Sequence, residues 1–120
     1  MTTIVRARLH YAIFLVLGAE KPTIPNVTED GLVWASEDAL VIGGRSGVDG
    51  ETTIHIGPLA PSQELIGLGP RTIQCPAGQI RLETADGERL SQHQVNAEQA
   101  RVGIWVDDLA EPGIVHLQIT

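Results

Sequence analysis

From Val5 to Leu17 every odd position is apolar: Val5, Ala7, Leu9, Tyr11, Ile13, Leu15 and Leu17. An unbroken alternation of this length fits an extended strand and no helix, because only a period of two places such a set on one face. The even positions change along the run, from Arg6, Arg8 and His10 to Ala12, Phe14 and Val16. The pattern predicts one strand that starts half-exposed and finishes buried on both faces, as a central strand of packed sheets does. The stretch also imitates a secretory signal, with Arg6 and Arg8 ahead of an apolar run and Gly18 and Ala19 behind it. The alternation begins before that run, which favours the strand, and the run is too short to cross a bilayer as a helix.

Shorter pieces repeat the theme. Leu32 to Ala35 and Ala39 to Ile42 are apolar runs around the turn formers Ser36, Glu37 and Asp38, which predicts a hairpin. Gly43, Gly44, Gly47 and Gly50 lead into alternating Thr52 to Ile56, read as a second hairpin with His55 facing away from Ile54 and Ile56. Gly57 to Pro70 predicts an irregular strand or one helical turn started at Ser62. Arg71 to Cys75 and Gln79 to Glu83 read as strands around Pro76, Ala77 and Gly78. Asp86-Gly87 is a strong hairpin signal that should return Glu88 to Val95 antiparallel to Gln79 to Glu83. Arg101 to Val106 and Ile114 to Ile119 close the chain around a loop with Asp107, Asp108, Pro112 and Gly113.

No 3.6-residue apolar period lasts three turns, so the expected fold is all-β: an antiparallel β-sandwich or jelly-roll-like barrel of about eight to nine short strands. A length of 120 residues suits one domain, here 1–120. Leu, Ile and Val supply 34 residues against four from Phe, Tyr and Trp, so the core must rest on branched aliphatics.

Eight basic against fifteen acidic residues give a net charge of −7, a field that repels nucleic-acid phosphates and anionic membranes and speeds encounter with a basic protein. The expectation is therefore no nucleic acid, no membrane and a basic protein partner, with a homodimer as a further way to cover open sheet edges. Cys75 stands alone, so no intrachain disulfide forms and a reducing cytoplasm is expected.

No pattern of prepared chemistry emerges, and the expected catalytic residues, metal site and cofactor are none. His10, His55, His93 and His116 fall in separate strands without a carboxylate or second histidine at ligand spacing. Gly43-Gly44-Arg45-Ser46-Gly47 lacks the lysine of a phosphate loop and precedes a strand, so a glycine-rich hairpin loop using positive φ is expected. Asp107, Asp108 and Glu111 lack the spaced oxygens of a calcium loop and read as a solvated turn. Cys75 reads as a small buried hydrophobe, and Ser36, Ser46 and Ser62 lack the glycine-flanked elbow of a hydrolase. Trp34 and Trp105 stand inside expected strands, where they pack the core or, on one sheet face, stack a sugar or anchor an interface. Alternation around Trp34 suggests that both faces of its strand are buried.

The order of features resembles the competence-protein-J family of small β-sandwich nuclease inhibitors and related bacterial sandwich domains. The likeness runs through His10-Tyr11-Ala12-Ile13-Phe14-Leu15, Gly31 to Gly44, Gly47 to Ile56, Gly78 to Leu82, the Asp86-Gly87 turn and His116 to Ile119. It implies a sandwich that inhibits or regulates a protein partner, and it carries over no site residue. The leading expectation is a non-enzymatic binding module with an acidic surface. The alternatives are a small-ligand or carbohydrate-binding jelly roll, and an enzyme assembled from distant groups such as His10, His55 or His116 with Asp107.

Overall fold

The computed structural model describes residues 2–28, 30–57 and 64–120, and among them eleven strands form two sheets. The first sheet runs in the order β1 (Thr3–Ala7), β5 (Thr52–Ile56), β11 (Ile114–Ile119), β10 (Gln99–Val106), β6 (Ile66–Gly67), with β7 (Arg71–Gln74) also paired to β10. The second runs β3 (Val33–Ala35), β4 (Ala39–Gly43), β2 (Ile13–Leu17), β8 (Gln79–Thr84), β9 (Arg89–Gln94). Every pairing is antiparallel except β5 with β11, strands far enough apart in sequence to need no tight turn. The chain is the all-β sandwich that its alternation predicts.

Apolar side chains, nearly all aliphatic, fill the space between the sheets. Phe14, Val16, Leu40, Ile42, Ile80 and Leu82 of the second sheet share one core with Ile54, Val102, Ile104, Val106, Val115 and Leu117 of the first. Each belongs to a strand whose alternate residues face outward, so the period of two becomes an inner and an outer face.

The first expected strand is instead two strands in different sheets. β1 ends at Ala7, and after a tight turn at His10–Ala12 the chain resumes as β2. In that turn Tyr11 (φ 60°, ψ 15°) and Ala12 take left-handed backbone, which breaks the alternation. Leu9 is buried at an odd position, whereas Phe14 and Val16 are buried at even ones. The apolar odd residues of β2 therefore face outward, where the central position of that strand keeps them half-buried or better.

The glycine-rich connection is a crossover, not a hairpin: β4 lies in the second sheet and β5 in the first. Close approach, more than positive φ, demands these glycines, since of the group only Gly50 has a positive φ. A Cβ on Gly44 would lie 2.7 Å from Leu9 Cδ1, and one on Gly47 3.0 Å from the Leu9 carbonyl oxygen. The loop thus lies directly on the kink, with Gly44 N–H donating to Ala12 O at 2.7 Å and Gly47 N–H to Leu9 O at 3.1 Å.

The β3–β4 and β8–β9 hairpins form as expected. Gly87 (φ 90°) completes the second turn, where the Thr84 hydroxyl accepts from Glu88 N–H. β6 realises the irregular strand after Gly57, while the helical turn expected at Ser62 lies outside the described residues.

Left-handed backbone costs a residue with a Cβ about 1–2 kcal/mol, most of which glycine avoids. Ala12→Gly is therefore expected to stabilise the fold by about 0.5–1 kcal/mol, read as a rise in the urea midpoint at unchanged slope.

Candidate interaction surface

The pairing directions bring the chain out of β1, β4, β8 and β10 at the same end of the sandwich. Residues 8–12, 44–51, 85–88 and 107–113 meet there, and contacts tie them together. Leu9 bridges to Ser46, Arg8 Nη1 donates to Gly47 O at 2.6 Å, and Thr53 N–H donates to Gly113 O at 2.8 Å. His10 and Asp86 approach to 3.9 Å.

Negative charge is segregated to such connections. Among the described strand residues Glu83 is the one carboxylate, and Arg81 Nε engages it at 2.6 Å. The basic residues are placed differently, with Arg6, Arg71, Arg81, Arg89 and Arg101 on strands. At the shared end Asp49 and Glu51, then Asp86 and Glu88, then Asp107, Asp108 and Glu111 are all exposed. Two of them also shape the backbone. Asp107 Oδ1 accepts from Gly113 and Ile114 N–H at 2.9 and 3.0 Å, and Asp108 Oδ1 from Ala110 and Glu111 N–H at 2.7 and 2.9 Å.

Apolar side chains project from this acidic end. Tyr11 is 87% exposed, Val48 92% and Leu109 60%, the highest values among the described large hydrophobics. Tyr11 and Val48 flank an open hollow of about 320 Å³ with His10 and Ser46. Tyr11 owes its position to the left-handed turn, a conformation that persists only where surrounding contacts enforce it. Those contacts are the crossover loop and the Leu9 side chain anchored beneath it in the core. An aromatic and two aliphatics stand on braced loops that also carry exposed carboxylates, with Arg8 and Arg45 among them, a mixture of apolar anchors and charge that protein interfaces share.

No protein-family model matches the sequence, and no curated protein matches it. Among solved structures, ComJ of Bacillus subtilis, an inhibitor of the DNA degrading activity of NucA, matches with a TM-score of 0.68. The match covers 98% of this chain and 92% of that one at 14% identity. The fold is similar to that of ComJ. The resemblance read from the order of strands thus holds for the fold. A protein described as crocagin biosynthetic gene J matches over 97% of this chain and 94% of that one at 14% identity, with a TM-score of 0.48.

The structure brings some of the residues singled out in the sequence together and leaves others apart. His55 and His116 stack at 6.2 Å on the outer face of the first sheet, with Trp105 edge-on to His116 at 5.9 Å. His10 lies beside Asp86 in the loop end, Asp107 is engaged by its own loop, and no described hollow is lined by both Asp107 and a histidine. His93 is half-buried against Ser91 Oγ at 3.0 Å. Ser36 donates to Thr23 O, Ser46 joins the bridge to Leu9, and Ser62 lies outside the described residues. Cys75 is buried, and burial pushes its thiol above the usual range, with Glu98 adding to the effect. No group of three or more metal-ligating side chains assembles among the described residues, Asp107, Asp108 and Glu111 included. Nor is any described helix long and apolar enough to cross a membrane.

Neither tryptophan enters the core, and they do not share a face. Trp34 lies opposite Val41 on the outer side of the second sheet, where Nε1 donates to Thr28 Oγ1 at 3.1 Å. Its neighbour Ala35 is exposed, so the strand is not buried on both faces. Trp105 lies on the outer side of the first sheet, between core residues Ile104 and Val106.

Three groups give the fold a pH dependence of one sign. The Thr84 hydroxyl, foremost, holds Asp86 below the usual carboxylate range, and the Glu111 and Ala110 amides do the same for Asp108. Their contribution is complete above the unfolded carboxylate pKa of about 4 and is lost as pH falls through the folded value. Burial lowers His93, whose neutral form the fold prefers, so its contribution fades as pH falls below the unfolded value of about 6.5. Urea midpoints should therefore decline in two steps on acidification. His93→Gln should abolish the upper step and leave the lower.

Proposed function

We propose that this chain is a non-enzymatic binding module whose acidic loop end grips and restrains a basic protein, with a DNA-degrading enzyme as the partner class. The observation that carries the reading is the set of exposed Tyr11, Val48 and Leu109 among the carboxylates of the joined loops. Burying such anchors supplies affinity, while the carboxylates steer a positively charged partner into register and repel nucleic acid itself. The partner class is supported by ComJ, a protein of similar fold that inhibits the DNA degrading activity of NucA. A cytoplasmic setting accords with a lone cysteine, which forms no intrachain disulfide.

The test is capture on the immobilised chain from lysate of the source organism at low salt, followed by elution at high salt. A basic protein should be retained and then released, because exposed charge attraction is screened beyond about 10 Å at 0.1 M salt. Adding the chain should then slow DNA degradation by that protein. Recovery of no protein at either salt, or a captured protein whose activity the chain leaves unchanged, would argue against the proposal.

A further inference from the structure

The outer face of the first sheet carries a second, separate feature. Cross-strand pairing lines up Ile4, His55, His116, Trp105 and Gly67 in one row. Beside Trp105 lies an open trough of about 540 Å³, within the range of about 300–1,000 Å³ typical of small-molecule sites. Two glycines make room for the indole. A Cβ on Gly103, two residues before Trp105 on the same strand face, would lie 2.8 Å from Cζ3 and Cη2 of the ring. One on Gly67, the cross-strand partner, would lie 3.2 Å from Nε1. The ring therefore lies along the sheet over both glycines, and the His116 ring meets it at an interplanar angle of 78°, backed by stacked His55.

This is an oriented aromatic platform, fixed before any ligand arrives. Arg101 lines the same trough, and its guanidinium makes no hydrogen bond or ion pair with a described residue. An indole face beside an uncommitted fork of N–H donors suits a ring with one apolar face and a rim of hydroxyls. We propose that the trough at Trp105 binds a pyranose sugar, the C–H face of the ring stacking on the indole and Arg101 donating to ring hydroxyls. A nucleotide fits less well, since one arginine faces the trough and the chain's net charge of −7 opposes phosphates. The site is distinct from the acidic loop end, and neither proposal depends on the other.

The indole Nε1–H signals of the intact chain, followed by two-dimensional NMR, report on it directly. The probes are the methyl glycosides of glucose, galactose, N-acetylglucosamine and glucuronic acid, with adenosine monophosphate as the competing class. At least one glycoside should shift Trp105 and Gly103 saturably and leave Trp34 in place, and Trp34→Phe assigns the two indoles. Trp105→Ala should weaken that binding by about tenfold or more, and Arg101→Ala, which leaves the platform intact, should weaken it as well. Saturable shifts from adenosine monophosphate alone, or no saturable shift at Trp105 from any glycoside, would overturn the assignment. So would glycoside binding that survives both substitutions.

Discussion

Replacing Tyr11 and Val48 together by alanine is expected to weaken partner binding by about 10²–10³-fold, since interface anchors carry about 2 kcal/mol or more each and 1.4 kcal/mol is tenfold. The effect should fall on binding alone. Both side chains are nearly fully exposed, so truncation removes no core contact, and such surface changes shift stability by only about 0.5 kcal/mol. Val27→Ala is the matched control: that side chain is 47% exposed but lies outside the joined loops, and its loss should leave affinity unchanged. Neutralising Asp49 and Glu51 as amides should act differently, lowering the association rate and flattening its salt dependence more than it speeds dissociation. Surface plasmon resonance against the captured partner separates the two patterns.

Phe14→Ala should be the most damaging single truncation. Phe14 is the only phenylalanine, is fully buried, and sits in central strand β2 between Ile42 and Thr84. Truncating a buried phenylalanine costs about 3–5 kcal/mol, and a domain has only about 5–15 kcal/mol in total. The variant should be largely unfolded in urea concentrations that the parent tolerates. Leu15→Ala, one residue on and half-buried on the outer face, should cost much less. That contrast checks which face of β2 points inward, and hence the phase change at Tyr11-Ala12.

The phase change marks the boundary of what alternation can reveal. Within β5, β8, β10 and β11 the inner and outer residues follow from the period of two, and the Asp86-Gly87 turn declares its hairpin locally. Position 11 gave no warning, because Tyr11 continues the odd apolar series and neither it nor Ala12 is a residue that favours left-handed backbone. Partner choice was equally hidden at Gly43 to Gly50. Those glycines mark a bend, but β5 crosses to β1, and the loop's close contact with Leu9, which is distant in sequence, appears only in the fold.

The candidate surface was legible in part. Net charge announced an acidic protein but not where its carboxylates gather, which strand directions decide. Val48 and Leu109 did leave a trace, as apolar residues set between Gly47 and Asp49 and between Asp108 and Ala110, where a turn would ordinarily be polar. Tyr11 left none. The trough at Trp105 needed cross-strand pairing, since Gly67 and Trp105 are far apart in the chain and meet only through the β6–β10 register.

Amide hydrogen exchange on the chain, free and bound to its captured partner, tests the central claim most directly. Protection gained on binding should concentrate in residues 8–12, 44–51, 85–88 and 107–113, with the outer face of the first sheet unchanged. Protection confined instead to that face, or to the β9 edge, with the loop end exchanging as fast as in the free chain, would contradict the account.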